Sequence, residues 1–435
     1  MRQINYTCQC GHIEASAAEI EARNAIFSEI EQGFNRLAAW VFSPKGKNPA
    51  GALYQMLYSR LYNGVIDGFS KKRQITQMTY DRPDPRFLTM YRLNIARFSA
   101  AKTVAAAKQF NQLKNKHLYF DDFKKAVDKL GLQYNGQHLQ TEYEFAVAAG
   151  QMGGLWLDLQ DTKAIFPYVK YRTVGDSRVR PPHAAIDGLF FLIGSPELDT
   201  IYPPNGWKCR CDLERATEAE AQRGRIMSKQ DLTQLLQSMP GGRAGESEYD
   251  YMRRNRFHVN RGRLETIFLE NEMYISRFNE KTLLNDFYGA DDLAAIKYLS
   301  LPEIVQTSRA YERNLAIFNR FAASSPRGGD VWTQNTVFGL PVLFHLWDFK
   351  QVAQSPAGPY LDYLTDAVSH PAEVWAVKTK DGYLQRYIKF YREGGRFVAL
   401  VVESQIQAGQ DEKIVNVHLV PESQINDFRR GLLQM

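Results

Sequence analysis

The sequence predicts an α+β protein with a mainly helical N-terminal half, a small mixed module around a Cys-x-Cys pair, and a C-terminal α+β domain with an antiparallel sheet. Three observations predict it. Apolar residues recur at helical spacing over most of residues 17–150. From about Trp156 the Pro, Gly and β-branched content rises, and short runs such as YVKYRTV and GLFFLIG have strand character. Near the C-terminus RYIKFY, RFVALVVES and KIVNVHLVP follow one another at the spacing of an antiparallel meander.

The elements follow in order. Ser16 and Glu19 have capping-box spacing, and Phe27, Ile30, Phe34, Leu37 and Val41 then form a helical stripe. SPKGKNP at 43–49 breaks that helix. A second helix carries Leu53, Leu57, Leu61 and Val65 on one stripe, with Tyr54, Tyr58 and Tyr62 beside it as packing residues. Asp81-Arg-Pro-Asp-Pro85 starts a third, Ala-rich helix that runs to about Lys114. Shorter helices are expected at 120–130, stopping at Gly131, and at 138–150. The chain divides on this reading into a helical region (1–137), the Cys-x-Cys module (138–215), a basic linker (216–284) and the α+β domain (285–435).

Composition excludes several classes. The 435 residues are 44% apolar and 12% aromatic, enough to fill real cores and too much for wholesale disorder. No run approaches the roughly 18 apolar residues of a membrane span. The opening MRQINYTCQCGHIEASAAEIEAR has no apolar stretch of the secretory kind, so the chain is expected to be made and held in a cytoplasm. All four cysteines lie in C-x-C pairs, Cys8/Cys10 and Cys209/Cys211, which suits a reducing compartment better than a disulfide scaffold. A net charge of +6 is a mild bias toward anionic partners.

Three groups of residues carry candidate chemistry. In the first, Asp176, Arg178, Arg180, His183 and Asp187 precede Cys209 and Cys211. Thiolates and imidazole are good zinc ligands, and Cys209, Cys211 and His183 are the candidates, with Cys8 and Cys10 as further donors. A structural zinc is the one cofactor considered. The preferred alternative is a rigid corner of two small buried thiols, with His183 hydrogen-bonded into the Arg/Asp network; a C-x-C disulfide would be strained. In the second group, YMRRNRFHVNRGR (251–263) holds five arginines and no acid. Arg253, Arg254, Arg256, Arg261 and Arg263 either line a solvated face or contact phosphate, with Phe257 and His258 available to stack on bases.

The third group is C-terminal. Metal-independent RNA cleavage needs a base, an acid and a cation for the developing phosphorane charge. His345, placed on a helix, and His418 are candidates for base and acid; Lys389 and Arg386 are candidates for charge stabilisation. Strand alternation puts Arg386 and Ile388 on one face and Tyr387 and Lys389 on the other, and Ile388 suggests that the Arg386 face is core. His370, before a proline, is expected to end a helix.

The ordered set TEYEFAVAAGQ, DSRVRPPHAAIDG and YPPNGWKCRC resembles the phage Mu F-like head morphogenesis (minor head) proteins over roughly residues 138–215. That resemblance implies a minor component of a tailed-phage or prophage capsid, with portal, major capsid protein and DNA as partners and the virion as its place. Residues 330–435, through HPAEVW and RYIKFY, resemble in layout the barnase–EndoU–colicin–RelE-type nuclease domains. This implies a ribonuclease acting on RNA; the alternative is a structural connector whose C-terminal part binds DNA or a partner without turnover.

Overall fold

The computed structural model describes residues 17–70, 75, 84–130, 136–270, 274–307, 311–323, 325 and 329–434. Cys8, Cys10 and the Ser16–Glu19 capping pair therefore lie outside the described side chains. Helix α1 (Ala17–Phe42) ends where Ser43-Pro44 interrupts it, α2 (Ala50–Ser70) follows, and α3 (Pro85–Lys114) starts on Asp84, whose carboxylate accepts from the Arg86 N–H. Pro85 at the first helical position costs no hydrogen bond, because that N–H has no partner inside a helix. Both expected stripes are buried, Phe27 to Val41 on α1 and Leu53 to Val65 on α2. No helix among the described residues is long and apolar enough to cross a membrane.

The chain forms two compact units, each discontinuous in sequence. The first draws on 1–35, 56–83 and 116–272; the second on 36–55, 84–115 and 273–435.

In the first unit α4 (Phe120–Leu130) and α5 (Gly136–Thr162) precede a small sheet. α5 runs well past the expected stop at residue 150 and carries Trp156 inside it. Its glycines are packing residues and not punctuation: a Cβ on Gly150 would lie 2.4 Å from the Val65 carbonyl oxygen, and one on Gly68 2.3 Å from that of Val147. The two helix backbones touch there, which only glycine permits. One turn away, the Arg60 guanidinium lies 3.8 Å from the Tyr143 ring centroid, and the Tyr143 hydroxyl donates to Asp67 at 2.7 Å.

The sheet is antiparallel, ordered β2-β1-β3, from β1 (Tyr168–Arg172), β2 (Phe190–Leu192) and β3 (Asp212–Ala216). Between them lie α6 (Pro181–Ala184) and α7 (Pro196–Ile201). After β3 come α8 (Glu218–Arg223), closed by a Thr217/Glu220 capping box, α9 (Lys229–Ser238) and α10 (Glu248–Arg254). Alternation in β1 buries Val169 and Tyr171 together, and Tyr171 pairs across to Leu213.

In the second unit α11 (Asn285–Tyr288), α12 (Leu293–Ile296) and α13 (Tyr311–Ala322) lead into β4 (Val331–Asn335) and β5 (Pro341–His345). Then come α14 (Leu346–Gln354), α15 (Leu364–Ser369), β6 (Glu373–Lys378), β7 (Gly382–Glu393), β8 (Arg396–Gln407), β9 (Glu412–Pro421), α16 (Glu422–Phe428) and β10 (Leu432–Leu433). Seven strands make one sheet, ordered β10-β6-β7-β8-β9-β5-β4; every neighbouring pair is antiparallel except β5 with β9. The expected meander is β7 to β9, and β6 extends it on the β7 side. Phe318, Phe349, Leu364, Val368, Tyr387, Tyr391, Leu400 and Val402 belong to one buried cluster that seats α13, α14 and α15 on a sheet face.

HPAEVW has a structural explanation in this sheet. The fully buried Arg429 guanidinium donates to both Glu373 oxygens at 2.8 and 2.6 Å, and the Trp375 indole N–H donates to the same carboxylate at 2.7 Å. A buried charge paired and hydrogen-bonded in this way is retained without an unsatisfied group.

Candidate metal centre

The Cys-x-Cys stretch is built from a turn. Cys209 N–H donates to the Gly206 carbonyl at 3.1 Å, Lys208 takes a left-handed φ of 59°, and β3 begins at Asp212. That turn brings both sulfurs to His183, which α6 supplies from the loop between β1 and β2. Cys211 Sγ lies 3.2 Å and Cys209 Sγ 3.8 Å from His183 Nδ1, and one donor atom from each of the three residues lies within 4.8 Å of the others. Both cysteines are free thiols.

These distances suit a tetrahedral ion. With Zn–S near 2.3 Å and Zn–N near 2.0–2.1 Å, a tetrahedron's S···N edge is about 3.5 Å. The observed 3.2 and 3.8 Å bracket that edge. The donor set therefore fits zinc, with Cys209, Cys211 and His183 Nδ1 as the three ligands among the described residues.

The electrostatics differ between the two sulfurs. The hydrogen bond from Cys211, together with His183, holds the Cys209 thiol well below its usual value against the opposing effect of burial. The same bond and burial push Cys211 up. Burial, followed by the two sulfurs, drives the Tyr171 phenol well above its usual value; its oxygen lies 3.1 Å from Asn205 Oδ1.

Around the sulfurs, Arg180 donates to the Asn205 carbonyl at 3.0 Å and stacks on Tyr251 at 5.8 Å. Asp176 is gripped by both terminal nitrogens of Arg210, at 2.6 and 2.7 Å, and by Arg178. Asp187 accepts the Thr173 N–H. The Arg/Asp network expected from the sequence is present, and it braces the loop instead of holding His183. A Cβ on Gly206, where φ is +155°, would meet Arg180 Nη2 at 2.0 Å. Relief would require Arg180 to leave Asn205. Gly206→Ala is accordingly expected to lower stability by more than about 1 kcal/mol, from backbone strain plus the lost contact; an unchanged urea midpoint would contradict this account.

Of the five arginines of 251–263, Arg261 is buried, Arg256 is half-buried, and Arg253, Arg254 and Arg263 are exposed. Arg261 is buried, donates to the Ile267 and Arg256 carbonyls, and lies 4.9 Å over the Phe145 ring. Arg254 clasps Glu246 with two bonds, and Arg263 pairs with Asp199. Arg253 and Arg256 have no carboxylate partner among the described residues; Arg253 lies against Tyr249. Phe257 is not available to stack on bases, because it is buried among Phe145, Trp207 and Tyr251. His258 is half-buried, and burial lowers its basicity.

The four C-terminal candidates do not converge. His345 is not on a helix: it closes β5 opposite Val331 and occupies the cap position of α14. The apolar run before it is a two-sided buried strand, which periodicity alone cannot separate from a core helix. Lys389 forms a 2.6 Å ion pair with Asp366 on the α15 face, where His370 also pairs with Asp366 at 3.4 Å. Arg386 and His418 lie on the opposite face, each bonded to Glu403, at 2.9 and 3.2 Å, with Phe428 of α16 beside both. The Arg386 face is also not the sole core face, since Tyr387 and Tyr391 beside Lys389 are buried as deeply as Ile388.

Sequence reasoning missed two members of the metal cluster's surroundings, Tyr171 and Glu248. The alternation of YVKYR was a usable signal for Tyr171. Glu248 had none: it reaches the cluster only through the turn between α9 and α10.

Comparison with known proteins bears on this same stretch. Residues 119–214 match the family model described as Phage Mu protein F like protein. The chain is 32% identical over 83 residues to "Putative capsid assembly protein F" of Escherichia phage Mu, covering 19% of each chain. It is 42% identical over 66 residues to the Mu-like prophage FluMu F protein of Haemophilus influenzae, covering 15% of this chain and 16% of that protein. The aligned stretch thus spans less than a fifth of either relative's length. No solved structure matches the chain. His183, Cys209 and Cys211 all fall within the matched residues, so the segment that carries them is the part of the chain similar to Phage Mu protein F like proteins.

Proposed function

We propose that this chain acts in head assembly of a tailed phage or prophage, as a minor head protein near the portal, with its Mu F-like segment braced by a structural zinc on Cys209, Cys211 and His183. The observation that carries the reading is a coincidence in one place. The stretch similar to two Mu-type F proteins, one of them described as a capsid assembly protein, is also the stretch that gathers three soft donors into one cluster. Portal, major capsid protein and packaged DNA are the proposed partners, and the virion is the proposed location. Arg253 and Arg256 are the arginines left for phosphate. Deleting the coding sequence from its phage or prophage should cut the yield of DNA-filled heads, and mass spectrometry of purified wild-type heads should detect a few copies of the chain. Normal head yield, or heads free of the chain, would overturn the proposal.

Ribonuclease activity of the C-terminal sheet is a second reading, favoured by one observation: His418, Glu403 and Arg386 share a face and a hydrogen-bonded line. Lys389 and His345 would not belong to that site. The full chain should then cleave RNA at neutral pH and lose cleavage in His418→Ala. Intact RNA with the wild-type chain would leave the connector reading in place.

A further inference from the structure

His183 presents Nδ1 to the sulfurs, so its other ring nitrogen faces away from them. That atom, Nε2, is buried and has no hydrogen-bond partner; so is Oε1 of Glu248, and the two lie 3.9 Å apart. Both side chains are nearly inaccessible, His183 at 5% and Glu248 at 3%. A buried polar atom without a partner costs on the order of 1–3 kcal/mol. Two such atoms facing each other are therefore an arrangement that wants explaining. Neither is hydrogen-bonded into the Arg/Asp network; the Arg180 charge acts on Glu248, but its guanidinium bonds to Asn205 and Tyr251.

We propose that Glu248 is the positioning residue of the metal centre: its carboxylate accepts the Nε2–H of His183 when Nδ1 binds the ion. The inference rests on the zinc reading above and extends it to a residue beyond the 119–214 family match. The chemistry is general. Binding through Nδ1 requires the ring proton on Nε2, and an acceptor there fixes the tautomer, aims the ring and strengthens the donor nitrogen. The fold delivers the acceptor specifically. Ser247 caps α10, the Glu248 N–H donates to the Met239 carbonyl at 2.9 Å, and Gly241 closes the turn onto the Glu246 carbonyl at 2.7 Å. A carboxylate at the start of α10 is thereby held beside the imidazole.

The test uses the full chain and two probes, Zn²⁺ in competition with a chromophoric chelator and Co²⁺ read by its thiolate-to-metal absorption. Glu248→Gln preserves shape and should still fold. It is expected to weaken metal binding by about 10–100-fold and to shift the cobalt band, while the melting temperature of the metal-free protein stays at or above wild type. Glu248→Asp should restore part of the affinity. If wild type binds the ion and Glu248→Gln binds it equally with an unchanged cobalt spectrum, Glu248 has no positioning role and the zinc reading survives. If wild type binds neither ion, the zinc reading falls and this inference falls with it.

Discussion

A Cys209→Ser chain is expected to lose its metal. Purified beside wild type without chelator, wild type should carry about one equivalent of zinc by elemental analysis, and the variant essentially none. The reason is the number of donors. Only Cys209, Cys211 and His183 Nδ1 come together among the described residues, so removing one leaves two. The loss should exceed the roughly 10–100-fold that a change outside the ligand shell costs. The melting temperature should fall with it, since an ion that binds only the folded chain stabilises it by mass action. Wild-type protein without zinc, and a variant equal to it in stability, would return the cluster to a rigid corner of two packed thiols.

The second large effect lies in the other unit. Arg92, on α3, is buried and donates to Gln434 Oε1 and Gln385 Oε1, at 2.9 Å each, with its guanidinium 3.6 Å from the Phe338 ring centroid. Gln385 passes the contact on: with Tyr387 and Ser404 it donates to one oxygen of the buried Glu412, at 3.0, 2.7 and 2.5 Å. Burial raises the Glu412 carboxyl above its usual value, opposed by those donors and by Arg92. Arg92→Ala removes the positive charge and leaves two amide oxygens without a donor. The expected cost is about 3–5 kcal/mol, the range for breaking a buried charge network from one side. Urea unfolding of the full chain measures it, and a loss under 1 kcal/mol would show that the network contributes little. The same network bears on where the domain begins. Residues 285–435 by themselves lack Arg92, and the unit that holds the sheet also draws on 36–55 and 84–115. Activity assays on this protein therefore call for the full chain.

Local patterns were legible where one short-range cause sufficed. The stripes Phe27–Val41 and Leu53–Val65, the proline start of α3 and the β7–β9 meander all follow from periodicity and from what proline does to a helix. They were misleading where two causes look alike in one dimension. Gly150 resembles a helix stop, and is instead a close-packing site inside α5. The run ahead of His345 resembles a core helix, and its PVLFH part is a strand buried on both sides. The basic run 251–263 resembles a solvated cationic face, yet Arg261 and Phe257 are interior. In each case a partner distant in the chain decides the matter: Val65 for Gly150, β9 beside β5 for the apolar run, and Phe145 for Arg261 and Phe257.

The ordered set TEYEFAVAAGQ, RVRPPHAAIDG and WKCRC was enough to show a resemblance to Mu F-like proteins, and its last two members nominated His183, Cys209 and Cys211, because donor chemistry belongs to residue type and the order of motifs survives in one dimension. Whether those donors meet was decided only by tertiary structure: by the left-handed turn at Lys208, by α6 aiming Nδ1 at the sulfurs, and by the α9–α10 turn that sets Glu248 behind the ring. The same held against the C-terminal candidates. Residue type made Lys389 and His418 plausible partners in catalysis; the pleat of a strand put them on opposite faces of the sheet.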